Sequence, residues 1–318
     1  MTDLSSLDRQ LINRFQGGVD LSDRPFQQMA RLVDSDESEV MDAVQRLLDD
    51  GWLSRFGPLY NAERLGGSLA LAAMAVPEAE FDEVVEQVNA LPEVAHNYRR
   101  DHWLNMWFVL ATDSSESMAS IISYIEGVTL LRVYAFPKEE EFYLGLWFEI
   151  GKDGCFTTRS IPAGRSCGSH RLDELDRRII AETQAGLPVS HDPCEQVAER
   201  IGCWPSEVIE RMNGMQEKGV IRRTGLVPNH YRLGFRGNGM TVWNIPDDQL
   251  REAGQRLGSL DYVSHCYSRP RHLPDWPYNL FAMVHGRDRD DVKEKLTEMG
   301  RVLKPFHRVT RSCSVRRC

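Results

Sequence analysis

Apolar residues recur at helical spacing over the first fifty positions and then change period. Leu7, Leu11, Ile12 and Phe15 share one helical face, Phe26, Met29, Ala30 and Leu32 a second, and Val40, Val44, Leu47 and Leu48 a third. A 3.6-residue turn brings such positions to one side, where they can be buried together. Ser35 suits the N-cap of the third helix and Gly51 its end. Trp52-Leu53 then begins a strand that is expected to turn at Gly57-Pro58. Three short helices and a β wing over the first ~60 residues predict a winged helix-turn-helix.

The next ~85 residues read differently. Leu69 to Val76 is an apolar strand ended by Pro77, and Phe81, Val84, Val85 and Val88 form a helix stripe. Val94 to Tyr98 and Met106 to Ala111 suit neighbouring strands, Met118 to Ile125 a helix, and Leu130 to Tyr134 a last strand. The order βαββαβ is that of a ferredoxin-like fold. Phe142, Leu144, Leu146 and Phe148 alternate, which predicts an added edge strand. Ser160 to Ser169 has the composition of a linker.

The whole pattern occurs twice. Leu7-Asp8-Arg9 recurs as Leu175-Asp176-Arg177. At the same offset Gln28-Met29-Ala30 meets Gln196-Val197-Ala198, Ser38-Glu39-Val40 meets Ser206-Glu207-Val208, Gly51-Trp52-Leu53 meets Gly219-Val220-Ile221, and Leu65-Gly66 meets Leu233-Gly234. One residue later in register, Val76-Pro77 matches Ile245-Pro246 and Val94-Ala95-His96 matches Val263-Ser264-His265. Matches in constant order with a single slip mark a duplication. The expected class is α+β, a tandem duplication of a winged helix-turn-helix plus a ferredoxin-like module. The expected segments are 1–62, 63–150, a linker at 151–170, 171–230 and 231–318.

Composition narrows the function classes. At 318 residues the chain exceeds one ordinary core. It holds no apolar run long enough for a membrane span. The opening MTDLSSLDRQ lacks a basic region followed by an apolar stretch, so a cytoplasmic location is expected. Seven scattered cysteines without a CxxC pair suit reduced thiols rather than a zinc site, and no metal ligand set is expected. The net charge is -9, so a nucleic-acid partner would need a local basic patch.

A winged helix followed by a ferredoxin-like module resembles the leucine-responsive (Lrp/AsnC) regulators. The resemblance rests on Leu-Asp opening the first helix, Ser-Glu-Val in the third with Gly51 after it, and Leu65-Gly66 before the α/β module. Taken alone it implies a DNA-binding, amino-acid-sensing regulator. Charge argues against that reading, because a helix entering the major groove approaches a dense line of phosphates. Residues 34–50 hold seven acids and one base, Arg46. In the second copy the segment is near neutral, with Glu207, Glu210 and Glu217 against Arg211 and Lys218, and Arg222-Arg223 is a small basic wing. The helix-turn-helix modules are therefore expected to be packing scaffolds.

The polar clusters lie instead at equivalent places in the α/β modules. The first runs from His96 to Phe108 and the second from His265 to Phe281. Both read His-x-Tyr-x-Arg, then a His, then an Asn before an aromatic strand, with an insertion of about five residues in the second. Ala95-His96-Asn97-Tyr98-Arg99-Arg100 resembles the first subunit of the siroheme decarboxylases, and Pro274-Asp275-Trp276-Pro277-Tyr278-Asn279 the second. The fused arrangement resembles the form found in heme d1 biosynthesis. This resemblance implies removal of the C12 and C18 acetate carboxyls of siroheme, giving 12,18-didecarboxysiroheme and CO2. Related subunit pairs serve an alternative heme route, so the product's fate stays open.

Such a reaction needs groups that hold a polyanion, exclude water and protonate a carbon. Arg99, Arg100, Arg269 and Arg271 are candidates for the carboxylates, since a guanidinium binds them bidentately. Trp107, Trp276, Asn105 and Asn279 join them as candidate substrate contacts, with Trp103 and Tyr278. Trp107, between Met106 and Phe108 in a strand, also suits a core, and Trp276 a cavity wall. His96, His102, His265 and His272 are the candidate proton donors, with Tyr98 and Tyr267 as weaker donors or orienters. One histidine could instead reach the substrate's iron. No separate cofactor is expected, because the iron-containing macrocycle is itself the electron sink. The expected partners are siroheme and other tetrapyrrole biosynthesis enzymes, with neither membrane nor nucleic acid. A monomer and a homodimer both fit. Two other readings remain, a DNA-binding regulator and a tetrapyrrole sensor without chemistry. His170, His191, His230, His285 and His307 read as surface or packing residues. The tail Arg308, Arg311, Arg316 and Arg317 and the run Glu139-Glu140-Glu141 read as solvated.

Overall fold

The computed structural model describes residues 4–145, 147–151, 156–159, 172–235 and 237–306. The linker stretch Ser160 to Ser169, His170, His307 and the basic tail lie outside the described residues. The first copy contains α1 (Ser6–Phe15), α2 (Pro25–Val33), α3 (Glu37–Asp49) and β1 (Leu53–Tyr60). It continues with β2 (Ser68–Met74), α4 (Phe81–Asn89), β3 (Val94–Arg99), β4 (Met106–Thr112), α5 (Ser115–Thr129), β5 (Val133–Pro137), β6 (Glu140–Leu144), β7 (Trp147–Ile150) and β8 (Phe156–Arg159). The second copy has α6 (Glu174–Thr183), α7 (Pro193–Ile201), α8 (Pro205–Glu217) and β9 (Ile221–Pro228). After these come β10 (Gly237–Trp243), α9 (Leu250–Gly258), β11 (Val263–Ser268), β12 (Leu280–Gly286) and α10 (Arg289–Leu303). The elements group like with like into two compact units, Met1–Leu65 with Trp147–Phe235 and Gly66–Leu146 with Arg236–Cys318.

In the first unit the repeated Leu-Asp pair explains itself. Ser5 caps α1 in a capping box with Asp8, and Asp173 caps α6 in the same way with Asp176. Each of these aspartates is buried and also meets an arginine of its third helix. Arg46 donates to Asp8 at 2.7 and 3.2 Å, and Arg211 to Asp176 at 3.2 Å. The bases of α3 and α8 are thus turned inward onto acids, while Asp36, Glu39, Asp42, Asp49 and Asp50 remain exposed around α3. That surface repels phosphate. Asp36 rather than Ser35 occupies the N-cap of α3, and Leu32 of α2 is exposed while Val33 takes the buried place.

Burial pushes the Asp8 carboxyl up, but the hydrogen bonds from Arg46 and Ser5 outweigh it and hold the group below the ordinary carboxylate range. The resulting stability is present above the unfolded pKa of ~3.9 and is lost as pH falls through the depressed native value. Arg46→Met leaves the buried carboxylate with only its Ser5 hydrogen bond and is expected to cost about 1–3 kcal/mol at neutral pH. In urea titrations that deficit should shrink as pH falls through the depressed native value and Asp8 takes up its proton.

The expected wing hairpin does not form. Gly57-Pro58 stays inside one strand, and β1 pairs antiparallel with β9 of the second copy, with Gly57 opposite Gly225. Gly57 has φ 153°, and a Cβ there would lie 2.9 Å from the Gly186 Cα. The glycine serves a close approach of backbones rather than a turn. Arg223 consequently faces Leu59 across this ribbon, and burial together with nearby Arg55 pushes its pKa down to about 10.

In the second unit β2, β3, β4 and β5 form a sheet of order β3-β4-β2-β5, with α4 and α5 on one face. This is the ferredoxin-like order that the βαββαβ pattern predicts. The last strand starts at Val133, because Leu130 is a left-handed C-cap of α5 and is 89% exposed. The second sheet has order β10-β12-β11-β6 and carries α9 and α10. The expected edge strand over Phe142 to Phe148 is therefore split. β6 crosses to the second copy's sheet, where Gly254 of α9 makes room for the Phe142 ring. β7 pairs with β8, inside the expected linker 151–170, and belongs to the other unit. Asn13 and Gln16 of α1 hydrogen-bond the β7 backbone at Ile150 and Phe148. The helix-free faces of the two sheets share one aromatic core, made by Ala73, Leu104, Trp107, Tyr134, Phe136, Met240, Val242, Trp276 and Phe281.

Candidate functional site

Both histidine-bearing strands carry an irregularity at the same place. The register between β3 and β4 shifts between Val94 and His96, and that between β11 and β12 shifts between Val263 and His265. A bulge re-aims the side chains that follow it. After it, His96 lies opposite Val109 and Tyr98 opposite Trp107, while His265 lies opposite Met283 and Tyr267 opposite Phe281. Trp107 and Phe281 belong to the shared aromatic core, so both His-x-Tyr pairs stand on the helix-free face of their sheet.

The ring spacings are the same twice over, although the His96 and Tyr98 planes meet at 35° and those of His265 and Tyr267 at 67°. The His96 and Tyr98 rings are 6.0 Å apart, and those of His265 and Tyr267 are 5.9 Å apart. Arg100 lies 5.2 Å over the Tyr98 ring, and Arg269 lies 5.3 Å over that of Tyr267. Each copy thus brings together a histidine, a tyrosine and an arginine. His96 is exposed, whereas His265, Tyr267 and Arg269 are half-buried. Arg269 also donates to the Phe136 carbonyl at the end of β5, and Lys138 stands 5.6 Å over the Tyr267 ring.

Several predicted site residues are placed elsewhere. Arg99 alternates to the helix side of β3, where it pairs with Glu78 and lies 4.3 Å over Phe81. Arg271 ties down its own loop, donating to Asp247, Asn244 and the carbonyls of Ile245 and Pro277. Asn105 and Asn279 are frame residues. The Asn105 amide closes on the N–H and C=O of Val76 at 2.8 and 2.7 Å, and Asn279 on those of Ile245, both at 3.0 Å. The match of Val76-Pro77 with Ile245-Pro246 was the sequence signal for this shared brace.

The two tryptophans are core rather than wall. Trp107 stacks on Phe136 at 5.4 Å and donates to the Leu104 carbonyl, and Trp276 is fully buried against Trp107, Phe136 and Phe281. The space between the two sheets is filled at this point. Trp276 belongs to the second copy's insertion, Pro270 to Tyr278, which docks on the first copy's sheet. There Tyr134 donates to Asp275 at 3.0 Å and the His272 Nε2 donates to the Ala135 carbonyl at 2.7 Å. His102 presents its edge to Trp276 at 5.6 Å, and its Nδ1 accepts from the Leu104 N–H. Burial lowers the His102 pKa, which favours the neutral ring at neutral pH. His102 and His272 are therefore bound into the frame around the insertion.

Sequence reading missed four contributors. Glu140 and Glu141 are not a solvated turn but lie in β6 opposite Ser268 and Tyr267, and Glu141 pairs with Lys138 at 2.8 Å. Ser264 and His285, both buried, form a hydrogen-bonded group with His265. Among the described residues no cluster of metal-ligating side chains occurs, and no helix is long and apolar enough to cross a membrane.

Comparison with known proteins follows the same lines. A model of the AsnC-like ligand binding domain matches residues 64–142 and 232–309, and one of the siroheme decarboxylase NirDL-like HTH domain matches 8–53 and 176–222. The siroheme decarboxylase of Hydrogenobacter thermophilus is 32% identical over 291 residues, covering 89% of this chain and 84% of the relative. The chain belongs to the siroheme decarboxylase family. The NirDL subunit of Paracoccus denitrificans is 31% identical over 93% of the chain and 89% of its own length. The NirG subunit of Stutzerimonas stutzeri is 49% identical over 147 residues, which is all of that protein and 46% of this one. A crystal structure of the siroheme decarboxylase NirDL superposes with a TM-score of 0.75 at 25% identity, covering 98% of this chain and 90% of that one. A second, in complex with an iron-uroporphyrin III analogue, gives 0.74 at 26% identity. The duplicated helix-turn-helix and α/β architecture is thus that of the fused members of the family.

Proposed function

We propose that this chain removes the C12 and C18 acetate carboxyls of siroheme and returns a proton to each resulting carbon. The observation that carries the reading is the duplicated histidine–tyrosine–arginine patch, built with matching spacings on the helix-free faces of both sheets in a member of this family. The C–CO2 bond breaks, its electron pair enters the macrocycle, and protonation leaves a methyl group. The conjugated ring supplies the electron sink, so no separate cofactor is required. In this reading Arg100 and Arg269 bind the carboxylates, and a guanidinium keeps its charge at any working pH. His96 and His265 serve as proton donors, the role for which imidazole is the commonest side chain. Tyr98 and Tyr267 sit between each histidine and arginine and orient the arm.

The reaction is expected in the cytoplasm, alongside other enzymes of tetrapyrrole synthesis. Purified protein incubated with siroheme without oxygen should release two CO2 per macrocycle, followed by product mass. Siroheme that binds, seen as an absorption shift, but keeps its mass would instead identify a sensor.

A further inference from the structure

The two patches differ behind the histidine. In the second copy the bulge residue is Ser264, and its hydroxyl lies 2.7 Å from the His265 Nδ1 and 2.8 Å from the His285 Nε2. Ser264 is 1% and His285 8% exposed, so water does not compete for these bonds. In the first copy the bulge residue is Ala95. The place of His285 is taken by Ala111, whose N–H bonds the Glu93 carbonyl as that of His285 bonds the Tyr262 carbonyl. His96 therefore has no such pair at its back.

We propose that Ser264 and His285 are positioning residues for His265, and that they hold its ring in the proton-bearing form that the donor step needs. This rests on the decarboxylase reading above. In the arrangement we assign, the His265 Nδ1–H donates to the Ser264 hydroxyl, which donates to the Nε2 of a neutral His285. The His265 Nε2 is then the nitrogen that gives up and regains a proton on the patch side. Its proton goes to the substrate carbon as CO2 leaves, and the imidazolium becomes a neutral ring still anchored through Nδ1. A hydrogen bond from a charged ring is stronger than one from a neutral ring, so the pair favours protonated His265. The other groups around the ring are Tyr267 and Arg269 beyond it on the same chain segment, and Lys138 and Glu141, which flank Tyr267 from the first copy. Lys295 of α10 bonds the His285 carbonyl and not its ring.

Ser264→Ala gives the second copy the residue that the first already carries, and Ser264→Thr keeps the hydroxyl. Proton donation fails as pH rises through the His265 pKa, so loss of the hydroxyl should move the alkaline limb of kcat to lower pH by about one unit. At neutral pH kcat should fall about tenfold with KM within about twofold, and threonine should restore both. Ring-proton NMR of the free protein reads the same His265 midpoint without substrate. A lower midpoint in Ser264→Ala that returns in Ser264→Thr supports the positioning role. An unmoved midpoint overturns it, whatever turnover shows. A wild-type protein that leaves siroheme intact overturns the decarboxylase reading instead, and the NMR midpoint still decides whether the pair tunes His265.

Discussion

His265→Ala is expected to slow decarboxylation by about 10²–10⁴-fold, the usual worth of a positioned proton donor. His96→Ala should have the smaller effect, slowing one of the two losses so that the singly decarboxylated macrocycle builds up before it is consumed. The difference follows from the two surroundings. His265 is half-buried and hydrogen-bonded at Nδ1 through Ser264, whereas His96 is exposed, with Ala95 at the matching position. Water can replace an exposed donor more readily than one shielded by protein. Single-turnover reactions stopped at intervals and read by mass would separate the two CO2 losses. Equal, full activity in both variants would remove histidine from the mechanism. Arg100 and Arg269 would then remain as carboxylate ligands, and another group would have to supply the proton.

The second large effect is expected at Trp276. Its side chain is fully buried and touches His102, Trp107, Phe136, Tyr278 and Phe281, which together join the insertion to the first copy's sheet. Trp276→Ala removes a large ring from a packed aromatic core and should cost about 3–5 kcal/mol, read as a drop in the urea midpoint. Leu273 lies in the same insertion but is 71% exposed, and Leu273→Ala should stay within about 0.5 kcal/mol. Equal midpoints for the two variants would show that the insertion does not hold the sheets. In that case Trp276 would be open to the role of substrate wall that its setting between prolines suggests.

The same contrast marks what local reading can reach. Helix stripes and strand periods were legible because each repeats within a few residues, and the duplication was legible because both copies keep those periods in order. The paired His-x-Tyr-x-Arg clusters were legible as chemistry for the same reason. The turn at Gly57-Pro58 was misread because glycine serves close backbone approach as well as turning, and only the partner strand β9 tells which. Asn105 and Asn279 looked like site residues because they sit beside the clusters. Their partners, Val76 and Ile245, are about thirty positions away in the chain and have no local signature.

The sequence by itself determined the doubled fold, the alternation that puts His, Tyr and Arg on one side of a strand, and the acidic third helix that disfavours DNA. Tertiary structure decided which side that is, since a single bulge before each histidine sets the facing of everything after it. It also decided that like modules pair with like, through β1 with β9 and β6 with β11. Finally, it turned Arg99 to the helix side, away from Arg100, and tied His272 to the first copy's sheet. Periodicity is a property of neighbours along the chain, whereas register, burial and hydrogen-bond partners depend on residues that meet only when the two copies fold together.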